Sequence, residues 1–417
     1  MRCLRLFLLI CGGLVAVGTA HGQGKLSGVV QDSVTHEPLA FASVFLTNTT
    51  LGVTTTEQGQ FEFPRVPAGT YDVVSSYVGY RLAKQSVTVG AAPQQLTLTL
   101  AATGNQLGEV LVKPAPNKPE DFQKFTALFL GQTAFSEQCH ISNPDQVRVF
   151  FDDSTKEIMA RAREFVQVDN DALGYRLKYY GLQFDYDTED QTISYYGEPV
   201  FEEMTPRDER QRQQWAANRA TAYAGSLMHF LRSVYTNRLR AEGFLTQQMR
   251  LVANPRFLRA DRRRRALLAR RPNGPFTATE QDSLARWERV APAFAKLFPA
   301  PLPIDSVRRV SADGQRTYLR FPGELQVAYF GEAPDPRYNR PMSPLGTSRT
   351  PYPAKRQVSR LRLQGREAEI QANGAPLNPL EVLSGEYWGF ERIGEFLPFD
   401  YQPPAPALGA APAKPAP

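Results

Sequence analysis

The stretch from Leu26 to Leu100 constrains the fold most, because short segments with β-type alternation recur along it between Gly and Pro residues. Residues 41–46 are apolar at most positions, as expected of a central strand that is covered on both sides. Residues 61–63 and 95–100 instead alternate apolar and polar side chains, which is typical of strands with one buried face. Short strands at this spacing predict an all-β sandwich of seven strands, which we assign to residues 23–113.

Five short motifs in this stretch carry a resemblance to a known domain family. They are Gly28-Val-Val-Gln-Asp32, Pro38-Leu-Ala-Phe-Ala-Ser-Val44, Thr56-Glu-Gln-Gly-Gln-Phe61, Pro67-Ala-Gly-Thr-Tyr71 and Val78-Gly79-Tyr80. In their order, these motifs resemble the carboxypeptidase regulatory-like domain, a transthyretin-like β-sandwich, although Glu57 stands where that family usually has Asp. The resemblance implies a fold and almost nothing about activity, because such domains accompany peptidases without supplying their catalytic residues.

The beginning of the chain has the organisation of a secretory signal peptide. Arg2 and Arg5 form a basic start, residues 6–17 form an apolar stretch too short for a comfortable membrane span, and residues 20–22 offer a small-residue cleavage site. No later apolar run approaches the roughly 20 residues that a spanning helix needs. We therefore expect residues 1–22 to be removed. The mature chain, without a transmembrane segment, is then expected in the periplasm, at the outer membrane or at the cell surface.

A short apolar segment, Leu107-Gly-Glu-Val-Leu-Val-Lys113, closes the sandwich region. It resembles the strand that follows this domain in TonB-dependent outer-membrane transporters. That resemblance implies one possible role, an accessory subunit of such an uptake system. The other interpretation is a last strand that pairs with the edge of the sandwich itself. Residues 114–119, Pro-Ala-Pro-Asn-Lys-Pro, are predicted to be a linker.

Residues 120–401 combine strand and helix patterns and predict an α+β domain of unknown function. Alternating apolar residues occur along residues 147–200 and again along 306–371. Between these two regions, residues 206–292 have mainly helical periodicity, so we expect the helices to form one central insertion. The region resembles an uncharacterised domain that follows the same sandwich in other secreted or envelope proteins. The Pro- and Ala-rich tail, residues 402–417, is predicted to be disordered.

Positive charge is concentrated in one run of the chain. The sequence has 48 Lys and Arg against 42 Asp and Glu, and residues Arg256 to Arg271 contain eight Arg against Asp261 alone. We expect no nucleic-acid partner, because Phe257 is the only aromatic residue in the run and export separates the chain from nucleic acids. Two interpretations remain open. The run forms the solvated face of a short helix, or it contacts an anionic partner such as lipopolysaccharide or an acidic protein surface.

The sequence contains no complete catalytic or metal-binding motif. The four histidines, His21, His36, His140 and His229, lack the Glu three residues later that a zinc carboxypeptidase requires. A Gly-x-Ser-x-Gly motif and phosphate-binding Gly loops are also absent. We therefore assign no catalytic, cofactor-binding or metal-binding residues, and the sequence favours a noncatalytic protein. Cys139 is the one cysteine that follows the signal peptide, and we expect it to be a buried apolar side chain.

Two groups of side chains leave a catalytic or ligand-binding role open. Eight carboxylates form an acid–base pair or a calcium site if folding brings them together: Asp152, Asp153, Asp185, Asp187, Glu189, Asp190, Glu202 and Glu203. Six tyrosines either line a groove for a sugar or peptide or alternate between the core and the rim of a sheet: Tyr175, Tyr179, Tyr180, Tyr186, Tyr195 and Tyr196.

Three functions follow from these observations. We expect an exported, noncatalytic binding or scaffolding protein of the bacterial envelope, with an envelope protein or a glycan as its partner. The first alternative is a secreted hydrolase, of the peptidase or glycosidase type, that uses the carboxylates. The second is the accessory subunit of a TonB-dependent uptake system.

Overall fold

The computed structural model describes residues 23–103, 117–152, 154–188, 192–271, 274–338 and 356–404. Within these ranges the chain is mostly β-sheet, and none of the helices there combines the length and the apolar composition needed to cross a bilayer. The described residues do not include the predicted signal peptide, the segment Leu107–Lys113, half of the predicted linker or most of the predicted tail.

The strands and helices are numbered in chain order. The strands are β1 (Gln23–Asp32), β2 (Ser43–Leu46), β3 (Gly52–Thr54), β4 (Gln60–Pro67), β5 (Gly69–Ser76), β6 (Ala83–Val89), β7 (Gln94–Leu100), β8 (Cys139–Ile141), β9 (Val147–Asp152), β10 (Glu157–Ala162), β11 (Phe165–Asn170), β12 (Tyr175–Asp187), β13 (Ile193–Glu203), β14 (Phe244–Ala253), β15 (Ala293–Pro301), β16 (Arg308–Val310), β17 (Thr317–Arg320), β18 (Glu324–Tyr329), β19 (Gln357–Leu363), β20 (Glu367–Ile370) and β21 (Val382–Glu386). The α-helices are α1 (Pro119–Leu130), α2 (Glu209–Tyr223), α3 (Leu227–Tyr235), α4 (Pro255–Arg270), α5 (Ala278–Glu288), α6 (Ile304–Val307) and α7 (Tyr387–Glu391).

The first seven strands form a sandwich of two sheets. One sheet has the strand order β4-β1-β7 and the other β3-β2-β5-β6. β1 pairs antiparallel with β4 and parallel with β7. Fully buried side chains from both sheets fill the core, among them Leu26, Leu46 and Leu98. The turn before β4 requires Gly59, which has a φ of 69° and whose Cβ, if present, would lie 2.6 Å from the carbonyl oxygen of Val30.

Strands β8 to β13 form a six-stranded sheet that packs against α1. β12 lies at its centre, because it pairs with β13 on one side and with β11 and then β10 on the other. α1 begins with Pro119, whose missing N–H is not needed at a first helical position, and ends at Gly131. Phe125 and Phe129 of α1 are fully buried and pack edge-on against Phe184 of β12.

The remaining strands form a five-stranded sheet, β15-β14-β18-β19-β21, and a three-stranded sheet, β16-β17-β20. Both sheets share a core with α3, to which Phe230, Leu319 and Leu361 contribute fully buried side chains. The indole N–H of Trp388 donates a hydrogen bond to the carbonyl oxygen of Gly225 at 2.7 Å. The side chain of Trp388 covers one side of this core. The region predicted as one α+β domain therefore contains two apolar cores.

The helical insertion predicted at residues 206–292 differs from the structure. Helices α2 to α5 lie in this range, but β14 interrupts them within the region of helical periodicity. Helix formation stops because Gly225, with a φ of 83°, separates α2 from α3, and Asn237, with a φ of 60°, turns the chain after α3. Phe244 then enters the core as part of a strand, because β14 pairs with β18 in the five-stranded sheet.

Candidate functional site: a basic arm and its support

β14 and β15 extend beyond the five-stranded sheet as a two-stranded ribbon. β14 pairs with β18 only as far as Met249, which lies opposite Glu324. Its pairing with β15 continues to Ala253, which lies opposite Ala293. The connection between the two strands contains α4 and α5, which pack against each other. We call residues 249–297, which include the ribbon and both helices, the arm.

Local sequence explains why both helices of the arm form. The side chain of Asn254 caps α4 by accepting a hydrogen bond from the backbone N–H of Arg256 at 3.0 Å. Its amide group also donates to the carbonyl oxygen of Ala291 at 2.8 Å, which ties the start of α4 to the start of β15. α5 begins with a capping box in which the Thr277 and Glu280 side chains each bond to the other residue's backbone N–H.

The arm is barely buried. Of the arm residues that the structure describes, only Met249 and Ala260 are buried. Leu251 and Leu258 are 54% and 59% exposed, and Leu297 is 37% exposed. The arm therefore contributes little to the apolar cores of the protein and leaves large apolar side chains in contact with solvent.

The arm carries the positive charge of the chain. Residues 249–297 contain twelve Arg or Lys and four Asp or Glu, a net charge of +8, whereas the whole chain has a net charge of +6. The residues outside the arm therefore have a net charge of −2. This separation directs an anionic partner towards the arm.

The structure divides the arginine run into paired and unpaired side chains. Asp261 pairs with Arg264 and Arg265, and Glu280 pairs with Arg271 at 3.3 Å. The other five arginines are exposed and make no ion pair with any described residue; they are Arg256, Arg259, Arg262, Arg263 and Arg270. At 100° per residue, these five side chains fall within about 120° of the helix circumference. We call them the arginine face.

The sandwich lies against the six-stranded sheet and contributes to a continuous support. The backbone N–H of Asn48 donates to the carbonyl oxygen of Pro199 at 2.6 Å, and that of Phe201 donates to Thr49 at 2.9 Å. The loop after β2 thus bonds to the outer edge of β13. Beside it, the rings of Phe45 and Tyr180 stack at 4.8 Å, in an apolar contact that Val74 and Val200 complete.

Charged side chains surround this contact. Lys84 pairs with Asp72 at 2.8 Å within the sandwich and with Glu198 of β13 at 2.7 Å. Burial lowers the pKa of Lys84, but its hydrogen bonds to Asp72, Glu198 and Tyr196 outweigh that effect, so the pKa is raised above its ordinary value. Lys84 therefore stays charged and links the two sheets at neutral pH.

The candidate carboxylates that the structure describes lie in two groups at opposite ends of β12. Asp152 and Asp187 flank Glu157 on neighbouring strands, and hydrogen bonds from Ser154 lower the pKa of Asp152. Glu202 lies opposite Arg176, eleven residues along β12 from Asp187, which corresponds to about 36 Å. Asp185 pairs with Arg161 at 2.7 Å, and Glu203 pairs with Arg219 at 3.0 Å. The other three candidates lie outside the described residues; they are Asp153, Glu189 and Asp190.

Most of the candidate tyrosines belong to cores. Four of them, Tyr175, Tyr179, Tyr180 and Tyr186, are buried, and Tyr195 packs against the ring of Phe129. Tyr196 is 47% exposed at the rim, where its hydroxyl donates to Glu198. Tyr175, Tyr179 and Tyr186 belong to the core beneath α1, whereas Tyr180 packs against Phe45 of the sandwich on the other face of the sheet.

Cys139 and two of the described histidines have structural partners. Burial raises the pKa of Cys139 to about 12, and its thiol donates to the carbonyl oxygen of Phe135. His229 is buried, and its Nδ1 accepts a hydrogen bond from the backbone N–H of Gly225 at 3.1 Å. His140 lies 3.8 Å from Asp169 at the surface, away from His229. Among the described residues, no three His, Cys, Asp or Glu side chains are placed to hold a metal ion.

Three acidic residues that the sequence patterns did not single out lie close together. Burial raises the pKa of Glu332 to about 6 and that of Glu395 to about 7, and it raises the pKa of Glu391 well above its ordinary range. The carboxyl of Glu391 also senses the charges of the other two. Their grouping depends on segments far apart in the chain, so periodicity contains no signal for it.

The N-terminal region has a family match. Residues 26–112 match the family model described as the CarboxypepD_reg-like domain. The sandwich is a CarboxypepD_reg-like domain. This match confirms the resemblance seen in the five sequence motifs. No curated protein matches the chain.

Several solved structures resemble parts of this chain, with low TM-scores. The backbone protein of pilus 2b from group B streptococcus is 18% identical with a TM-score of 0.17, over 19% of this chain and 41% of that one. A putative carbohydrate binding protein from Pseudomonas aeruginosa is 19% identical with a TM-score of 0.17, over 20% and 92%. A mutant type II cohesin–X-dockerin complex from Acetivibrio cellulolyticus is 20% identical with a TM-score of 0.18, over 27% and 76%. This chain thus spans less than half of the pilus protein, and scores this low carry no inference.

One turn of the CarboxypepD_reg-like domain has Glu57 where the family usually has Asp, and the turn still forms. Glu57 is exposed, and the turn is closed by Thr56, whose hydroxyl accepts a hydrogen bond from the backbone N–H of Gln60 at 3.2 Å. The carbonyl of Thr56 also accepts from the N–H of Gly59 at 2.9 Å. Thr56 therefore caps this turn in place of the residue at position 57.

The contact between the CarboxypepD_reg-like domain and the rest of the chain is testable at Asp400. Its carboxylate accepts hydrogen bonds from the backbone N–H and the hydroxyl of Thr50. We expect Asp400→Ala to lower the free energy of unfolding by about 1–2 kcal/mol, because the N–H of Thr50 loses a charged acceptor. Urea unfolding checks this value. The exposed Asp282→Ala is the control, and an equal loss in both variants would contradict a role for Asp400 in the contact.

Proposed function

We propose that this chain is a noncatalytic binding protein of the bacterial envelope whose arm contacts another envelope component. The arginine face carries this proposal. Five exposed guanidinium groups on one side of α4 have no carboxylate partner in the described part of the chain, so they repel one another. An anionic partner relieves that repulsion, which makes contact with one the function that this geometry supports best.

The rest of the molecule fits the role of a support. The CarboxypepD_reg-like domain bonds to the edge of β13 and packs Phe45 on Tyr180, so the two sheets hold each other in place. The apparent signal peptide at residues 1–22 supports an envelope location. Both features suit a protein that presents a projecting arm from an otherwise well-packed body.

The hydrolase alternative has less support, because ion pairs engage two of the carboxylates that it would use. Asp185 pairs with Arg161 at 2.7 Å, and Glu202 pairs with Lys178 at 2.6 Å. A carboxylate that already neutralises an arginine or a lysine on the same sheet is better explained by the stability of the sheet than by acid–base catalysis.

A variant without most of the arm tests the proposal. Leu251 and Ala295 lie directly opposite each other, so replacing residues 252–294 by Asn-Gly closes the ribbon with a two-residue hairpin turn. We expect this variant to fold, because Met249 and the sheet below it are retained. In sedimentation with isolated envelopes, it should bind at least about 10-fold more weakly than the full chain.

The outcome is interpretable in both directions. Circular dichroism of the variant serves as the folding control, since β14 still pairs with β18. Equal sedimentation of a folded variant and the full chain would place envelope binding outside the arm and would contradict the proposal.

A further inference from the structure

The arginine face has a length and a composition that restrict its partner. Arg256 and Arg270 are fourteen residues apart, which is about 21 Å along the helix. α4 contains seven arginines and no lysine. Arginine offers a planar fork of N–H donors that binds the oxygens of a phosphate in pairs, whereas lysine offers a point charge. A row of this length therefore fits several phosphate groups at once.

Exposed apolar side chains occur both on α4 and on the ribbon of the arm. Leu258 is one helical turn before Arg262 at the border of the arginine face and is 59% exposed. On the ribbon, Leu297 lies opposite Met249, and Leu251 lies two residues further along β14 on the same face. A soluble polyanion would engage the arginines and leave these leucines in water. A lipid surface offers phosphates and, just below them, an apolar layer.

We propose that the arm binds an anionic phospholipid surface, with the arginine face on the headgroup phosphates and Leu258 at the boundary of the acyl layer. This inference rests on the proposed function, because it names the envelope component that the arm contacts. In the chain from Gln23, which lacks Arg2 and Arg5, the residues outside the arm have a net charge of −4, so they do not compete for the surface. The protein therefore approaches the membrane with its arm towards the lipid surface.

Vesicle sedimentation tests the proposal with the full chain that starts at Gln23. The probes are protein-free vesicles of phosphatidylcholine alone and of phosphatidylcholine with about 30% phosphatidylglycerol. We expect binding only to the second kind and its loss in about 0.5 M salt, where charges are screened within a few ångströms. Binding of equal strength to both kinds of vesicle would overturn the proposal.

Two variants of equal charge locate the binding surface. One replaces the arginine face by glutamine at all five positions, and it should bind the anionic vesicles about 100-fold or more weakly. The control replaces five exposed arginines elsewhere by glutamine, and it should bind within about 3-fold of the full chain. The control positions are Arg65, Arg81, Arg163, Arg210 and Arg366. Equal weakening in both variants would show a general effect of net charge and would overturn the assignment.

A third variant separates a lipid surface from a soluble polyanion. Leu258→Gln should weaken vesicle binding about 3-fold or more and leave binding to soluble polyphosphate unchanged, because only the membrane offers an apolar layer. Polyphosphate binding as tight as vesicle binding, with no effect of Leu258→Gln, would overturn the lipid assignment. Arm-dependent binding to envelopes without binding to protein-free vesicles would also overturn it, while the proposed function would stand.

Discussion

Phe129→Ala should lower the free energy of unfolding by about 3–5 kcal/mol, the largest loss that we expect from a single substitution. Phe129 is fully buried, and its ring contacts those of Phe125, Tyr179, Phe184 and Tyr195 at centroid distances of 5.3 to 6.2 Å. Removing the ring leaves a cavity between α1 and the six-stranded sheet. Those neighbours belong to a helix and two paired strands, so they cannot move together to fill it.

Urea unfolding followed by tryptophan fluorescence measures this effect. Trp215 is a suitable local probe, because its indole N–H donates to the carbonyl oxygen of Asp171 beside the same sheet. The matched control is Phe150→Ala on β9, since Phe150 is 45% exposed and should cost no more than about 0.5 kcal/mol. A loss below about 1 kcal/mol for Phe129→Ala would show that this aromatic group is not the core of the sheet.

Glu395→Gln should stabilise the protein at alkaline pH, by up to about 3 kcal/mol. Burial raises the pKa of Glu395 from 4.5 to about 7 in the folded state. Below pH 4.5 the carboxyl of Glu395 is neutral in both the folded and the unfolded protein, so its burial does not lower the free energy of unfolding. Between pH 4.5 and about 7 the unfolded state loses its proton first, so folding becomes less favourable as the pH rises, and above pH 7 the penalty is constant. Glutamine does not ionise, so the free energy of unfolding of the variant does not fall in this way as the pH rises.

The measurement is urea unfolding of both proteins at pH 4.5 and at pH 8. The hydroxyl of Thr133 donates to Glu395 and finds an acceptor in the glutamine carbonyl as well, so the variant keeps this hydrogen bond. Glu57→Gln, at an exposed position of the CarboxypepD_reg-like domain, should change stability little at either pH. A Glu395→Gln variant that is less stable than the parent at pH 8 would contradict the assigned burial of this carboxyl.

The sequence by itself determined the features that depend on neighbours along the chain. Alternation and turn residues predicted the seven-strand sandwich, and the family match over residues 26–112 confirms its type. Pro119 with Gly131 marked the ends of α1, and the run from Arg256 to Arg271 marked a basic helix. These signals are local, because caps, turns and periodicity require only residues a few positions apart.

The tertiary structure alone decided the features that depend on residues far apart in sequence. Phe244 belongs to a strand because it meets Tyr329, 85 positions later, on β18. Five arginines of α4 have no ion-pair partner in the described part of the chain, whereas Asp261 and Glu280 engage the other three arginines of the run. The length of β12 separates Glu202 and Glu203 from Asp185 and Asp187, while burial raises the pKa of Glu395. Strand pairing, ion pairing and desolvation are set by the folded chain, so no local pattern contains them.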